Sequence, residues 1–355
     1  MQKVTFSNKN SVFFNTLKEK VDTYFKSNNI KETGNYKLYI KTIILLLSAG
    51  TIYTVLVFFT PPLWLSIVLC CLMGINLAGI GFNVMHDGAH GSFSRKTWVN
   101  EIMAYSLNLM GGNSFLWKAK HNINHHSFTN IEGMDDDIDI KPFIRVHEDQ
   151  KKYWYHRFQH IYWVGLYGLT YLLWVFVQDF KKYFSGKISD TKFRKMNLKD
   201  HFIFWISKVF YLSTFIALPM FMVGIVETLV GYLLISFVCG FIIAVVFQLA
   251  HIVEDAHFSA PDNKSFKIET EWAVHQIKTT ANFATKSKIV SWFTGGLNYQ
   301  VEHHLFPRIS HIHYPKISEF VRETCEKFEV TYLEFPTVLS AVRSHVLHLK
   351  QVGRV

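Results

Sequence analysis

Four long apolar segments give the chain its main pattern, and they occur in two pairs. Residues 39–59 and 62–85 form the first pair, and residues 202–223 and 228–250 form the second. Each segment has close to the roughly 20 apolar residues that a helix needs to cross a bilayer. Prolines separate the first two segments and a short turn beginning at Gly224 separates the other two. The pattern therefore predicts two helical hairpins in an all-α membrane protein with four transmembrane helices.

Two further apolar stretches, at about residues 98–117 and 160–178, are less regular than these four. Glycine and asparagine interrupt the first stretch, and two glycines interrupt the second, which is rich in aromatic residues. Segments of this kind are typical of helices that lie at the membrane surface. We therefore predict interfacial or re-entrant helices at both places.

The distribution of charge predicts which side of the membrane the polar segments occupy. The net charge is +10, yet no Lys or Arg occurs between Lys41 and Arg95 or between Lys208 and Lys264. These gaps contain most of the four apolar segments, and the basic residues outside them predict that both termini are cytoplasmic. A basic chain can also bind nucleic acid, but gaps of membrane length make that the weaker explanation. We expect membrane lipid, and no nucleic acid, as a partner.

Eight histidines fall into four short groups near the ends of the apolar segments. The groups are His86 and His90, then His121, His125 and His126, then His251 alone, and finally His303 and His304. Histidines four residues apart share one face of a helix, and adjacent ones diverge by about 100°. Imidazoles without thiolates suit iron, copper or zinc, and eight are too many for one ordinary zinc site. The pattern predicts a two-metal centre assembled from distant parts of the chain.

A shared centre requires its histidines to lie on one side of the membrane. If only one of the stretches 98–117 and 160–178 crossed the bilayer, the groups before and after it would face opposite sides. The metal hypothesis therefore agrees with two interfacial helices and with a histidine-rich cap on the cytoplasmic side.

The remaining polar residues near these groups have simpler explanations. Ten other histidines lack such neighbours and are expected at the surface or in hydrogen bonds: His147, His156, His160, His201, His257, His275, His311, His313, His345 and His348. His275, within Trp272-Ala-Val-His275-Gln276, is the first of them to check. The acidic run 135–139 lacks the glycine and the distal glutamate of a calcium loop. It is better explained as a solvated acidic turn whose carboxylates reach the outer N–H groups of metal-binding histidines.

Three motifs carry a resemblance to a known family. His86-Asp-Gly-Ala-His90, His121-Asn-Ile-Asn-His125-His126 and Gln300-Val-Glu-His303-His304 resemble the three histidine boxes of the membrane fatty-acid desaturase superfamily. Gln300 stands where most branches have histidine, and this resembles the front-end desaturases, which insert a double bond between an existing one and the carboxyl end. The similarity covers about residues 40–320. It predicts a desaturase domain at 39–320 between cytoplasmic segments at 1–38 and 321–355.

The resemblance also implies ligands, cofactors and partners. The seven histidines of the boxes would bind two irons, O₂ would be the co-substrate, and His251 matches an additional histidine of the family. Gln300 would be a weak ligand or a hydrogen-bond donor beside the metals. The substrate would be a fatty acyl-CoA or an acyl-lipid. Because no fused cytochrome b5 module is visible in the sequence, electrons would come from a separate ferredoxin or from free cytochrome b5 with its reductase.

Basic residues beside the first two boxes have two explanations. Arg95, Lys96, Lys118 and Lys120 could bind the head group of a CoA or phospholipid substrate. They could equally be ordinary cytoplasmic positive charge.

Two other functions compete with desaturation. An unactivated methylene has no acidic proton, so its oxidation requires a redox metal and O₂ rather than acid–base residues. Hydroxylases use the same scaffold, and product analysis separates a loss of two hydrogens from a gain of one oxygen. A metal transporter or sensor is the third hypothesis, but transporters place polar ligands within their spans. In this sequence the histidines lie at the ends of the spans.

Overall fold

The computed structural model is mostly helical and describes residues 4–7, 11–138, 140–189, 191–259 and 267–355. Its helices are α1 (Val12–Ser27), α2 (Tyr36–Phe58), α3 (Leu63–His90), α4 (Thr97–Ala104), α5 (Ser106–Leu109), α6 (114–128), α7 (Trp154–Ser185), α8 (Leu198–Met222), α9 (Ile225–His251), α10 (Trp272–Lys278), α11 (Lys288–Phe293), α12 (Gln300–Leu305), α13 (Tyr314–Lys327) and α14 (Val338–Val352). A short 3₁₀ turn, His311–His313, precedes α13. The chain divides into two compact units, which are described separately below.

Short strands make only a small addition to the helical structure. They are β1 (Thr5–Phe6), β2 (Lys187–Ile188), β3 (Thr191–Lys192), β4 (Lys267–Ile268), β5 (Asn282–Phe283) and β6 (Glu334–Phe335). The pairs β1–β4 and β5–β6 are parallel, and β2–β3 is antiparallel. The expectation of an all-α protein therefore holds for the main architecture, with three two-residue pairs as local clamps.

Unit 2, residues Gly34–Lys120 and Trp163–Val245, contains most of the apolar helices. Five helices in the described part of the chain are long and apolar enough to cross a membrane, namely α2, α3, α7, α8 and α9. Four of them coincide with the predicted spans, which confirms those segments as helices of membrane length. Large apolar side chains on these helices remain exposed, including Leu47, Leu63 and Phe221. Exposed apolar surface of this extent is typical of a membrane protein.

The two less regular stretches, 98–117 and 160–178, differ from each other in the structure. Residues 98–117 form the short helices α4 and α5 and the start of α6, none of which is long enough to span a bilayer. Residues 160–178 lie inside α7, a continuous helix of 32 residues. The interfacial helix predicted at 160–178 is therefore not confirmed, because the helix observed there is long and apolar enough to cross a membrane.

The end of α3 shows how the chain prepares the first histidine motif. A π-helical turn, Gly81–Met85, comes directly before His86, and such turns re-aim the side chains that follow them. Position 88 requires a glycine, because a Cβ there would lie 2.7 Å from the backbone nitrogen of Ala104 in α4. Gly91 then ends the helix in the left-handed conformation.

Unit 1, the described residues of Met1–Thr33, His121–Tyr162 and Val246–Val355, has its own hydrophobic core. Helices α1 and α13 pack along their apolar faces through buried residues such as Leu17, Val21, Ile317 and Val321. Apolar residues recur every three or four positions on both helices, so one face of each is buried and the other stays polar. This core lies beside α12, which carries the third histidine motif.

Candidate metal centre

Six of the predicted histidines come together in unit 1, and all six are buried. His125, His251 and His304 form a triangle whose ring centroids are 4.8–4.9 Å apart. One ring nitrogen from each of the three lies within 4.8 Å of the other two. Three imidazoles at this spacing form a donor set that can hold a metal ion, as the sequence predicts.

The other three histidines of this unit lie against the triangle. The ring of His126 is 4.5 Å from that of His304 and 4.6 Å from that of His303. His121 lies 4.9 Å from His126, ring centre to ring centre, and their Nε2 atoms are 3.3 Å apart. His126 thus contacts the triangle at His304 and also contacts His303 and His121.

Five of the six Nδ1 atoms in these rings are held by specific partners. Their neighbours are Asp137 at 2.8 Å from His121, Asp135 at 2.9 Å from His125, the Thr279 carbonyl at 3.3 Å from His251, the Tyr314 hydroxyl at 3.2 Å from His303 and Gln276 Oε1 at 2.7 Å from His304. Carboxylates and carbonyl oxygens accept hydrogen bonds, so the Nδ1 atoms facing them carry the proton. The opposite nitrogen, Nε2, then has the lone pair that a metal requires.

The acidic run contributes carboxylates to the histidines as predicted, but Asp135 is buried and not solvated. Asp135 and Asp137 lie against the rings of His125 and His121 in the second histidine motif (box two), while Asp139 falls outside the described residues. Asp135 also accepts hydrogen bonds from the backbone N–H groups of Asn130 and Asp137. A carboxylate behind a metal-binding imidazole orients the ring and raises its basicity.

Gln300 joins the triangle directly. Its amide Nε2 lies 3.1 Å from Nε2 of His251 and 3.3 Å from Nε2 of His304. The amide therefore faces the nitrogens that would bind a metal. An NH₂ group in this position fits the donor role proposed from the sequence, whereas a ligand role would require the oxygen Oε1.

Burial keeps the centre neutral. The pKa of His304 lies well below its ordinary value because burial disfavours the imidazolium and the neighbouring His126, His125 and His251 add to that effect. A neutral imidazole is the form that binds metals. The donor set thus fits a histidine-ligated metal centre.

Box one lies in unit 2. The rings of His86 and His90 are 4.6 Å apart at the end of α3, and each packs edge-on against Trp117. Both side chains are buried. The i, i+4 spacing therefore places the two rings side by side, as predicted.

Histidines outside the groups form ordinary hydrogen bonds. His156, His275, His345 and His348 each bond a backbone carbonyl oxygen, of Pro142, Thr129, Ile252 and Val146 respectively. Burial lowers the pKa of His275 to about 4, so this side chain is neutral. The expectation of hydrogen-bonding roles is confirmed for these four.

Some supporting residues carried no signal in the sequence. Glu302, fully buried beside His303, accepts hydrogen bonds from Asn282 at 2.7 Å and from the Tyr332 hydroxyl at 2.8 Å. Burial raises the pKa of Glu302 to about 7. Asn282 also accepts from the backbone N–H of Val301, so the three residues anchor the start of α12. A glutamate inside a histidine motif indicates little by itself, and its partners lie 20 and 30 residues away along the chain.

Basic residues near box one are on the surface of unit 2. Arg95 and Lys96 are exposed, and Lys118 forms an ion pair with Glu101 at 2.8 Å. Trp98, next to the first two, is 62% exposed. Exposed tryptophan beside basic residues is typical of a membrane–water interface.

A cavity of about 550 Å³ lies among α2, α3, α8 and α9 in unit 2. Its walls are mainly apolar and include Leu56, Met73, Met110 and Leu234. Among the described residues that line it there is one carboxylate, Glu227, and no Lys or Arg. The cavity is therefore suited to a neutral hydrocarbon chain and not to an anionic head group.

Three tyrosine hydroxyls on the cavity wall are bonded to each other and to the backbone. The hydroxyl of Tyr211 lies 3.2 Å from that of Tyr171 and 2.7 Å from that of Tyr232, and Tyr171 donates to the Met110 carbonyl. Such bonded hydroxyls can line an apolar space without requiring a polar ligand.

Comparison with known proteins places the chain in a family. The family model described as "Fatty acid desaturase" matches residues 62–336. An acyl-lipid (8-3)-desaturase of Physcomitrium patens is 37% identical over 97% of this chain and 72% of its own length. The sn-1 linoleoyl-lipid 6-desaturases of Arthrospira platensis and Synechocystis are 36% and 33% identical over 99% of this chain, and over 95% and 98% of their own lengths.

The relatives confirm the resemblance that the histidine motifs carry. A match over three quarters or more of both chains at more than 30% identity, as in the Arthrospira and Synechocystis proteins, is not a similarity of isolated motifs. Named relatives are desaturases, which are oxidoreductases, and this favours an enzyme over a metal transporter. The chain belongs to the fatty acid desaturase family.

Proposed function

We propose that the protein is a front-end desaturase that uses O₂ and two irons to introduce a double bond into a fatty acyl chain carried by a lipid. The observation that carries this proposal is the convergence of six buried histidines and Gln300 in unit 1, with five of the six Nδ1 atoms held by hydrogen-bond partners. The acyl-lipid desaturases among the relatives support lipid-linked chains over acyl-CoA as substrate.

The proposed ligands are the histidines of the three boxes together with His251. They are His86, His90, His121, His125, His126, His251, His303 and His304, with Gln300 as a further weak ligand or donor. His86 and His90 are included because they match box one of the family. When bound and reduced, two irons supply with O₂ the oxidising power that an unactivated C–H bond requires.

The chain's own residues would orient these ligands and exclude water. Asp135 and Asp137 hold protons on Nδ1 of His125 and His121, which leaves Nε2 available. His303 and His304 are fully buried, so competing water is kept away from the reacting carbon. Removal of two hydrogens then depends on how the acyl chain is positioned.

The cavity of unit 2 supports an acyl-chain site. Its volume, its apolar walls and the lack of basic residues among its described lining suit the hydrocarbon part of a lipid. The head group would need basic partners, for which Arg95 and Lys96 on the surface of unit 2 are the candidates. Exposed Trp98 beside them supports a position at the lipid head groups.

We propose four spans, with α7 at the cytoplasmic membrane surface. Basic residues flank both ends of α7: Lys151, Lys152 and Arg157 near its start, and Lys181, Lys182 and Lys187 near its end. A crossing helix usually has such residues on one side only. Both termini and the histidines would then be cytoplasmic, and electrons would come from a separate ferredoxin or cytochrome b5 with its reductase.

Lipid analysis of a host that expresses the protein and receives linoleic acid tests the proposal. We expect a new fatty acid lighter by two hydrogens, with its extra double bond on the carboxyl side of the existing ones. A His125→Ala variant should give no product. A product heavier by one oxygen would identify a hydroxylase instead. Absence of product with both ferredoxin and cytochrome b5 systems supplied would contradict the proposal for this substrate.

Gln300→His tests the front-end assignment. Histidine is the stronger ligand, yet it would change the group that contacts His251 and His304. We expect activity to fall at least tenfold with iron content retained, measured as product per iron. Unchanged activity and double-bond position would separate Gln300 from front-end chemistry.

A further inference from the structure

Helix α10 (Trp272–Lys278) is a seven-residue helix that contacts box two and box three without supplying a metal ligand. The indole Nε1 of Trp272 donates to the His126 carbonyl at 3.2 Å. His275 donates from Nε2 to the Thr129 carbonyl at 2.8 Å. The third inward residue, Gln276, is fully buried and reaches a histidine ring directly.

The oxygen of Gln276 lies against His304. Its Oε1 is 2.7 Å from Nδ1 of His304 and 2.9 Å from the Thr129 hydroxyl. That hydroxyl is also 2.7 Å from the His125 carbonyl, so the strongest donor available to Gln276 is the His304 N–H. The amide Nε2 of Gln276 has no hydrogen-bond partner among the described residues. The side chain therefore acts through its oxygen.

An acceptor at this place decides which nitrogen of His304 carries the proton. With a carbonyl oxygen at 2.7 Å, Nδ1 is protonated and Nε2, the atom nearest Gln300, keeps its lone pair. The opposite tautomer would set two lone pairs against each other. It would also place a proton where a metal bond must form.

The partner of His304 differs in charge from those of box two. His121 and His125 are backed by the carboxylates Asp137 and Asp135, whereas His304 is backed by a neutral amide. A carboxylate makes the imidazole a stronger donor than an amide does. The centre is therefore electronically unequal, with the more basic ligands at His121 and His125.

We propose that Gln276 is a positioning residue that fixes the metal-binding tautomer of His304 and keeps that ligand less basic than His121 and His125. This inference rests on the proposed function, because it assumes that the histidines bind metal. Through Thr129, which contacts both Gln276 and the His125 carbonyl, the same residue ties box two to box three.

Two substitutions separate the acceptor from the charge. Gln276→Met has similar volume but no acceptor, and Gln276→Glu keeps an oxygen at the same place and adds a charge. Gln159→Met is the matched control, because Gln159 is a fully buried glutamine of unit 1 whose amide bonds the backbone of Arg145 and Leu349. Each purified protein is stripped of metal and titrated anaerobically with Fe²⁺, and the Co²⁺ form is examined by visible spectroscopy.

We expect Gln276→Met to weaken metal binding about 10- to 100-fold at one of the sites, the size typical for loss of a partner behind a ligand. Gln276→Glu should retain affinity but change the Co²⁺ spectrum, and Gln159→Met should change neither. Wild-type affinity and spectrum in Gln276→Met would overturn the inference. If Gln276→Met does not fold, an unchanged spectrum in Gln276→Glu would overturn it. His304→Ala tests the underlying assumption separately, since unaltered metal binding there would contradict the proposed centre itself.

Discussion

Two buried polar networks, one in each unit, are built in opposite ways. In unit 2, the network around Lys208 consists of closed contacts. The ammonium of Lys208 donates to the carbonyls of Gly111 and Val175 and to Asp179 at 2.6–3.0 Å. In unit 1 the buried polar groups hold imidazoles, and each contact leaves another ring nitrogen facing other histidines.

The difference indicates what each network contributes. All three protons of Lys208 have acceptors, so nothing more can bind, and the network joins helices. The network of unit 1 is completed only by a ligand that accepts lone pairs. Burial of polar groups is costly unless they are paired, so a set of converging nitrogens is retained for function.

The largest effect expected is loss of activity on substitution in unit 1. His304→Ala should abolish desaturation, because it removes one corner of the triangle with His125 and His251. The protein should still insert in the membrane, since insertion depends on the apolar helices of unit 2. Product analysis and membrane fractionation measure the two properties. Turnover retained in His304→Ala would remove this residue from the site.

The histidine pattern is predictable from the sequence because it repeats short spacings near the ends of the apolar segments or on the polar stretches beside them. The residues that orient the rings are harder to predict from the sequence. Asp135 and Asp137 follow box two closely, so their contact with its histidines is predictable. Gln276, in contrast, lies 28 residues from His304 and 147 from Thr129. A single buried glutamine has no periodicity, so only the tertiary structure reveals its partner.

The helices, too, are only partly predictable from the sequence. Length and hydropathy predict the four spans, because both are local properties. The π-helical turn before His86 is not predicted, since it depends on how α3 packs. The extent of α7 was also underestimated, because two glycines within it suggested interruptions that a packed helix tolerates.

Breaking the closed network of unit 2 should cost stability and leave the metal centre intact. Lys208→Met leaves Asp179 buried without its cation, and loss of one partner of a buried pair costs about 3–5 kcal/mol. We expect a clear fall in the thermal unfolding temperature in detergent, with metal content per folded protein unchanged. Lys199→Met, at an exposed position of the same helix, is the control.

The double variant Lys208→Met with Asp179→Leu sharpens this test. Replacing both charges with apolar groups should restore most of the stability. If Lys208→Met instead lowers metal content while the protein stays folded, the contrast between the two networks would be wrong.

Filling the cavity of unit 2 should change chain-length preference more than total activity. Gly231 lines the cavity, and a Cβ there would lie 3.4 Å from Cys70 Sγ, an ordinary contact. Gly231→Leu should therefore fit and occupy space, shifting the preference towards shorter acyl chains by about tenfold, as expected when a few methylenes lose their pocket. Gly50→Leu is the control, because no atom lies near that position. Equal product profiles for wild type and Gly231→Leu would exclude this cavity as the acyl site.

The smallest effect expected is a pH dependence of unit 1 that does not involve the metal. Burial lowers the pKa of His345 to about 4, while its Nδ1 donates to the Ile252 carbonyl at 2.6 Å. In the unfolded chain this histidine binds a proton below pH 6.5, whereas the folded protein binds it only near pH 4. The free energy of unfolding is therefore unaffected above pH 6.5 and falls as the pH drops towards 4, by about 1.4 kcal/mol at pH 5.5. His345→Asn keeps a donor for Ile252 but does not titrate, so in metal-free samples its unfolding temperature should fall less than that of the wild type between pH 7.5 and 5.5. If the unfolding temperatures of the two proteins fall equally with pH, the folded protein binds a proton at His345 as readily as the unfolded chain does, and the prediction is wrong.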